Sequence, residues 1–327
     1  MALKKPVFGG ACKICPWGAI GDIVKELMAP YGYDVQVCYN CNNVRFVAEG
    51  LTGPPAEETL RNHPTHPAIA TVQIPQPPKA PVDFGATNAQ GLWSAYEGSA
   101  ATPGRKNLRL IAVIQSPVYF IVAVRSELGI TDLGQIKDRR LAVRILGAGD
   151  GSQLGGPAGA VLGYYGLTRQ VIESAGGRFL TGSEPADRRN GIDVVIGNGT
   201  LAGAPEYDVW YELSQRYNLT YMRLPDDLLD RLAKEASLER RDLPNGLLRG
   251  IDHPIPSVAR TGHAIFGRDD MPDEFAYTVA KALDEHQDRL QWSHLNLSYN
   301  PRTVWKASGV PLHPGAARYY RERGYMK

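Results

Sequence analysis

The thiols of this chain are Cys12, Cys15, Cys38 and Cys41, and they fall into two Cys-x-x-Cys pairs, "CKIC" and "CYNC". Thiolates three positions apart can share one metal ion. Two such pairs supply the four soft donors of a tetrahedral all-cysteine zinc site. The same set suits an iron–sulfur cluster, and Pro16 directly after Cys15 matches the Cys-Pro step of ferredoxin-type ligation. Two disulfides, or free thiols, are the plainer alternatives. The spacing favours a metal centre with Cys12, Cys15, Cys38 and Cys41 as ligands: zinc would close it as a structural site, whereas a cluster with an open iron could do chemistry.

For the two pairs to meet, the segments that carry them must lie side by side. Residues 5–11 read as a short apolar strand. Ile20, Ile23, Val24, Leu27 and Met28 then fall at helical spacing and stop at Pro30. "YDVQVCYN" alternates as a second strand. The result is a β-α-β unit with adjacent parallel strands, which brings both pairs to the carboxyl edge of one sheet, where open α/β sheets bind ligands.

Other residues with chemistry to offer fall at similar strand ends. Asn40 lies inside the second pair. Thr87 and Asn88 end a third strand at 82–87, and Ser116 and Tyr119 interrupt the β-rich run 108–125. The turn "LGAGDGSQLGG" carries Gly151 and Ser152 ahead of a helix, an arrangement that suits an anionic group. Asn198 ends a strand in "GNGT", and His263 follows the return of the chain. Trp17 is placed to stack on a planar ligand or cover a cluster; its plainer role is to close the core. Taken singly, the Asn and Ser positions read equally well as backbone caps. His63 and His66 sit in a proline-rich excursion and read as solvated, and His313 reads as a packing residue.

Strands alternating with helices make an α/β class with mostly parallel sheets. The 327 residues exceed one ordinary core, which predicts two lobes. A net charge of +2 argues for neither nucleic acid nor a membrane surface. No apolar run reaches the about 18 residues of a membrane span, so no membrane insertion is expected. "MALKKPVFGG" offers no secretory signal, which predicts a cytoplasmic protein, or a periplasmic one from which a leader has been removed. GxSxG, HExxH, P-loop and convincing GxGxxG patterns are absent from the sequence.

The order of pieces also carries a resemblance. "SPVYFIVAVRSELGITDLGQIKDRRLAVRILGAGDGSQ" resembles the central block of type II periplasmic-binding proteins. The tail "SGVPLHPGAARYYRERGY" (308–325) is similar to the C-terminal signature of TAXI-type solute-binding proteins of TRAP transporters. The resemblance implies a two-lobed clamp with an interlobe cleft, lobe one spanning 1–136 plus 256–327 and lobe two 137–255. It implies a small carboxylate as ligand, with aromatic acids among the candidates, and a transporter membrane subunit as partner if the protein is exported. Trp17, Asn40, Thr87, Asn88, Ser116, Tyr119, Gly151, Ser152, Asn198 and His263 are the expected ligand contacts. Proteins similar on this scaffold include cytoplasmic decarboxylases, so a metal- or cluster-dependent lyase, a decarboxylase or hydro-lyase, stands as the alternative.

Overall fold

The computed structural model describes residues 4–11, 13, 18–55, 75–99, 102–148, 156–180, 191–200, 208–236, 238–260, 262–291, 298–306 and 309–326. It divides into two compact units, Met1–Ser116 with Thr261–Lys327, and Pro117–Arg260.

The first unit begins as the sequence predicts. Strand β1 (Val7–Gly9), helix α1 (Ala19–Met28) and strand β2 (Gln36–Cys38) form a β-α-β unit, with β1 and β2 parallel and Phe8 opposite Val37. Ile20, Val24, Leu27 and Met28 bury one stripe of α1, and Gly32 ends the segment in the left-handed conformation at φ 82°. The helix lies so close to the strands that a Cβ on Gly21 would come 2.9 Å from Val37 Cγ1, a distance only glycine avoids.

Helix α2 (Val44–Glu49), strand β3 (Phe84–Asn88) and helix α3 (Ala89–Glu97) follow. A two-stranded ribbon comes next, β4 (Gly98–Ser99) with β5 (Thr102–Pro103), and then β6 (Leu108–Ile114). Among the described residues the sheet order is β2-β1-β3-β14-β6, where β14 is His263–Arg268. One face packs Cys38, Cys41, Val47, Leu92 and Leu110 into an apolar cluster. Towards the other face, Phe275 of helix α9 (Asp273–Glu285) stands edge-on to Phe84, with ring centroids 5.0 Å apart. The short α10 (Gln287–Gln291) leads on towards α11 (Pro314–Glu322), which packs on α9. Asp284 on α9 accepts hydrogen bonds from Tyr319 Oη (2.6 Å), Arg323 Nε (3.0 Å) and Tyr325 Oη (2.9 Å), so the aromatic tail is fastened to one buried carboxylate.

The second unit is built on β7 (Val118–Arg125). Its alternate residues divide between two cores. Phe120, Val122 and Val124 face a cluster completed by α4 (Gly134–Asp138), α5 (Gly156–Tyr164), α6 (Arg169–Ser174) and α8 (Asp226–Glu235). Tyr119, Ile121 and Ala123 face a cluster that includes Trp210 of α7 (Asp208–Arg216). Helices therefore cover both faces of a sheet whose order is β12-β13-β7-β10-β8-β9. Its other strands are β8 (Arg144–Ala148), β9 (Arg178–Leu180), β10 (Val194–Gly199), β12 (Glu239–Arg240) and β13 (Val258–Arg260). Strand β11 (Leu219–Tyr221) also pairs with β7.

Pairing is parallel wherever a helix connects neighbouring strands (β1 with β2, β8 with β9). It is antiparallel where β14 lies between β3 and β6 and where β7 meets β10, β11 and β13, so each sheet is mixed. The first unit boundary lies at Ser116, earlier than the 136 read from sequence, because β7 makes its pairings inside the second unit.

Candidate functional site at a sheet edge

Because β14 is antiparallel to both β3 and β6, the strands β1, β2, β3 and β6 all run the same way. Their carboxyl ends therefore share one edge of the first unit's sheet with the start of β14. Five segments meet there: the turn after β1, the turn 39–41 after β2, Thr87–Asn88, Ser116 after β6, and His263. Ladder positions fix part of this arrangement, since His263 stands opposite Asn88 on one side and Ile114 on the other.

The backbone ties the first two turns together. Gly10 N donates to Cys38 O (2.9 Å), Cys41 N to Gly10 O (2.9 Å), and Asn40 N to Ala11 O (3.1 Å). Asn40 is exposed and adopts φ 60°, a left-handed conformation that asparagine tolerates better than most residues.

Cys38 and Cys41 are joined to each other by a disulfide across this turn, with Cα atoms 5.6 Å apart. A disulfide sulfur carries no thiolate charge with which to hold a metal. While that bond is closed, Cys38 and Cys41 offer no thiolate to the expected four-cysteine zinc or iron–sulfur centre. The pair is fully buried, and it is sealed on one side by Gly53, where a Cβ would fall 2.2 Å from Cys38 Sγ and 2.8 Å from Cys41 Sγ. Among the described residues, no group of three or more His, Cys, Asp or Glu side chains is placed to hold a metal ion. Cys12, Cys15, Trp17, Gly151 and Ser152 lie outside the described residues.

The same turns carry a charged network. Lys13 Nζ donates to Tyr39 Oη (2.7 Å) and to Asp22 Oδ2 (3.1 Å), and Tyr39 Oη donates to Asp22 Oδ1 (2.5 Å). The ammonium also lies 4.6 Å from the centre of the Tyr39 ring. Partial burial opposes the charge on Lys13, but its bonds to Tyr39 and Asp22 outweigh that cost and hold its pKa above the ordinary lysine value. The Tyr39 hydroxyl is raised as well, first by burial and then by its bond to Asp22. Both groups therefore keep their protons at neutral pH. Sequence reading passed over all three residues. The signal was present, since Lys13 and Tyr39 each lie inside a Cys-x-x-Cys pair and Asp22 faces the same loops from the first turn of α1.

The remaining expected contacts take varied places. Thr87 is half-buried at the end of β3. Asn88 caps α3, its Oδ1 accepting from Gly91 N at 2.6 Å, which is the ordinary work of an asparagine at a helix start. Ser116 is buried and His263 half-buried at this edge. Tyr119 belongs to the second unit, where its ring is buried in the apolar core. Asn198 is half-buried near the end of β10, and its carbonyl accepts from Trp210 Nε1 at 2.7 Å. His313 is wholly buried as the cap of α11, accepting from Gly315 N at 3.3 Å through Nδ1.

Among solved structures, the chain is similar to a TctC solute-binding protein from Polaromonas, at 12% identity and a TM-score of 0.46 over 99% of both chains. It is also similar to MatC from Rhodopseudomonas palustris with bound malate, at 11% identity and a TM-score of 0.42 over 89% of each chain. Residues 77–324 match the family model of the NMT1-like family, a match that starts after both Cys-x-x-Cys turns. That match takes in well over half of the chain, and the protein belongs to the NMT1-like family.

Proposed function

We propose that this protein is a solute-binding protein that holds a small carboxylate at the carboxyl edge of the first unit's sheet. The observation that carries the reading is the convergence there of Asn40, Thr87, Ser116 and His263 from four different strands, beside the partly exposed side chain of Lys13. Polar groups gathered at strand ends, with one cation among them, are what recognition of a small anion requires. The narrower TAXI type, with a transporter membrane subunit as partner, rests on the tail phrase 308–325. Binding outside the cytoplasm is supported by the Cys38–Cys41 disulfide, because such bonds persist in oxidising compartments. A lyase built on a four-cysteine centre loses two of its ligands while that bond is closed.

Thermal unfolding of the full chain against a panel of mono- and dicarboxylates, with sugars and polyamines as controls, tests the reading. A carboxylate at a hundredfold excess over its Kd stabilises the folded state by about 2.7 kcal/mol, a clear upward shift in Tm. A panel in which only sugars or polyamines shift the transition would overturn it.

A further inference from the structure

We infer that Lys13 and Asp22 together form the recognition element for a carboxylate that carries a hydrogen-bond donor on the adjacent carbon, a 2-hydroxy or 2-amino acid, with Tyr39 holding the pair in place. This rests on the carboxylate-binding reading above and specifies its ligand class.

The argument starts from valence. An ammonium has three N–H donors. Lys13 commits one to Tyr39 Oη and one to Asp22 Oδ2, which among the described residues leaves one for a ligand. An ionised carboxylate accepts at about four lone-pair positions, and Asp22 has committed one oxygen to Lys13 and the other to Tyr39, with capacity left on both. The Lys13 side chain is 32% exposed and that of Asp22 40%, so both have faces a ligand can reach. The site thus offers a charged donor and a charged acceptor 3.1 Å apart. A plain carboxylate matches only half of it and brings its own charge close to Asp22. A carboxylate with a neighbouring hydroxyl or ammonium matches both halves: its anion meets Lys13, and its donor meets Asp22.

Order matters as much as charge. A free lysine side chain loses considerable rotamer freedom when a ligand fixes it. Here the ring of Tyr39, its hydroxyl and Asp22 already fix Lys13, so little of that loss is left for the ligand to bear. Tyr39 is in turn anchored by the turn laced to residues 10–11 and closed by the Cys38–Cys41 bond. The charge on Lys13 is maintained by the same contacts, which suits an ionic role.

Calorimetric titration of the full chain with two matched pairs tests the inference: mandelate against phenylacetate, and malate against succinate. In the parent, the hydroxylated member of a bound pair should bind at least fivefold more tightly. Lys13→Met should weaken both members at least tenfold, and Lys13→Arg should recover part of the loss. Asp22→Ala should lower the hydroxylated acid to the level of its deoxy partner, while Tyr39→Phe should weaken both members severalfold. Circular dichroism and Tm establish that each variant is folded. Equal affinity within the pairs for the parent, or undiminished binding by Lys13→Met, overturns this inference while the carboxylate reading stands. A parent that binds none of the four acids overturns both for these ligands, and that result is told apart by the silence of the parent itself.

Discussion

Lys13 Nζ stands 2.7 Å from Tyr39 Oη, although the two residues are 26 positions apart and follow different strands. Parallel pairing of β1 with β2 brings their turns together, and the hydroxyl passes the contact on to Asp22 at 2.5 Å. One hydroxyl therefore links a lysine and an aspartate that would otherwise meet as a partly exposed pair of modest worth.

Removing that hydroxyl should be measurable even without a ligand. Tyr39→Phe keeps the ring under the ammonium but deletes two hydrogen bonds, for an expected loss of about 1–2 kcal/mol in urea unfolding. The pH dependence has a definite sign. Lys13 and Tyr39 are both raised in the folded state, so their contribution is complete below their unfolded pKa values and fades as pH rises through the folded ones. The parent should lose stability above about pH 10, and Tyr39→Phe should lose less of it over the same range. Parallel alkaline limbs would show that the network contributes nothing.

The C-terminal tail offers a second test. Asp284 is almost wholly buried and accepts from three tail residues, Tyr319, Arg323 and Tyr325. Asp284→Ala strands those donors and should cost about 3–5 kcal/mol. Tyr319→Phe removes one bond and should cost about 1–2 kcal/mol. Ligand affinity of folded Tyr319→Phe should be unchanged, since the hydroxyl it loses is bonded to Asp284 on α9. A binding defect at unchanged stability would assign the tail a role in recognition.

How far the sequence is legible depends on whether the deciding interaction is local. The β-α-β unit can be read because Ile20, Val24, Leu27 and Met28 mark the buried stripe of α1 within a single helix. The unit boundary cannot be read as readily. The run 108–125 is apolar throughout, and only distant partners, β10, β11 and β13, draw β7 into the second unit. Tyr119 looked like a cleft residue because Pro117 breaks the run beside it. Strand alternation instead turns its ring into the core with Ile121 and Ala123. At Cys38 and Cys41 the spacing, which favours a metal centre, also admits the disulfide that closes there, and the close approach of Gly53 to both sulfurs lies in no local pattern.

His313 supplies an acid-side prediction. Burial lowers its pKa, opposed by nearby Asp273, with Arg109 adding to the lowering and Asp269 opposing it. A lowered folded pKa means that the contribution is present above the unfolded value and is lost as pH falls through the folded one. The parent should therefore weaken as pH falls below about 6.5. His313→Asn keeps a side-chain cap for α11 but cannot titrate, so its urea midpoint should fall less between pH 7.5 and pH 5, both being chosen assay values on either side of about 6.5. Equal losses in parent and variant would place the acid sensitivity elsewhere.

The Cys38–Cys41 bond gives the last prediction. Its loop is short, only three positions from end to end, so the chain-entropy account gives it about 2 kcal/mol. Cys38→Ala combined with Cys41→Ala should lower unfolding stability by about that amount and leave a folded chain. Because both sulfurs are buried and Gly53 presses against them, a dithiol should reduce the native protein slowly and the urea-unfolded protein quickly. Gly53→Ala places a methyl against the bridge and should shift the turn, accelerating native-state reduction. Thiol trapping in intact cells, followed by mass spectrometry of the peptide that holds Cys38 and Cys41, reads the natural state directly. A closed bond in the trapped protein supports action in an oxidising compartment. Two alkylated thiols would restore Cys38 and Cys41 as available metal ligands and return the protein to the cytoplasm.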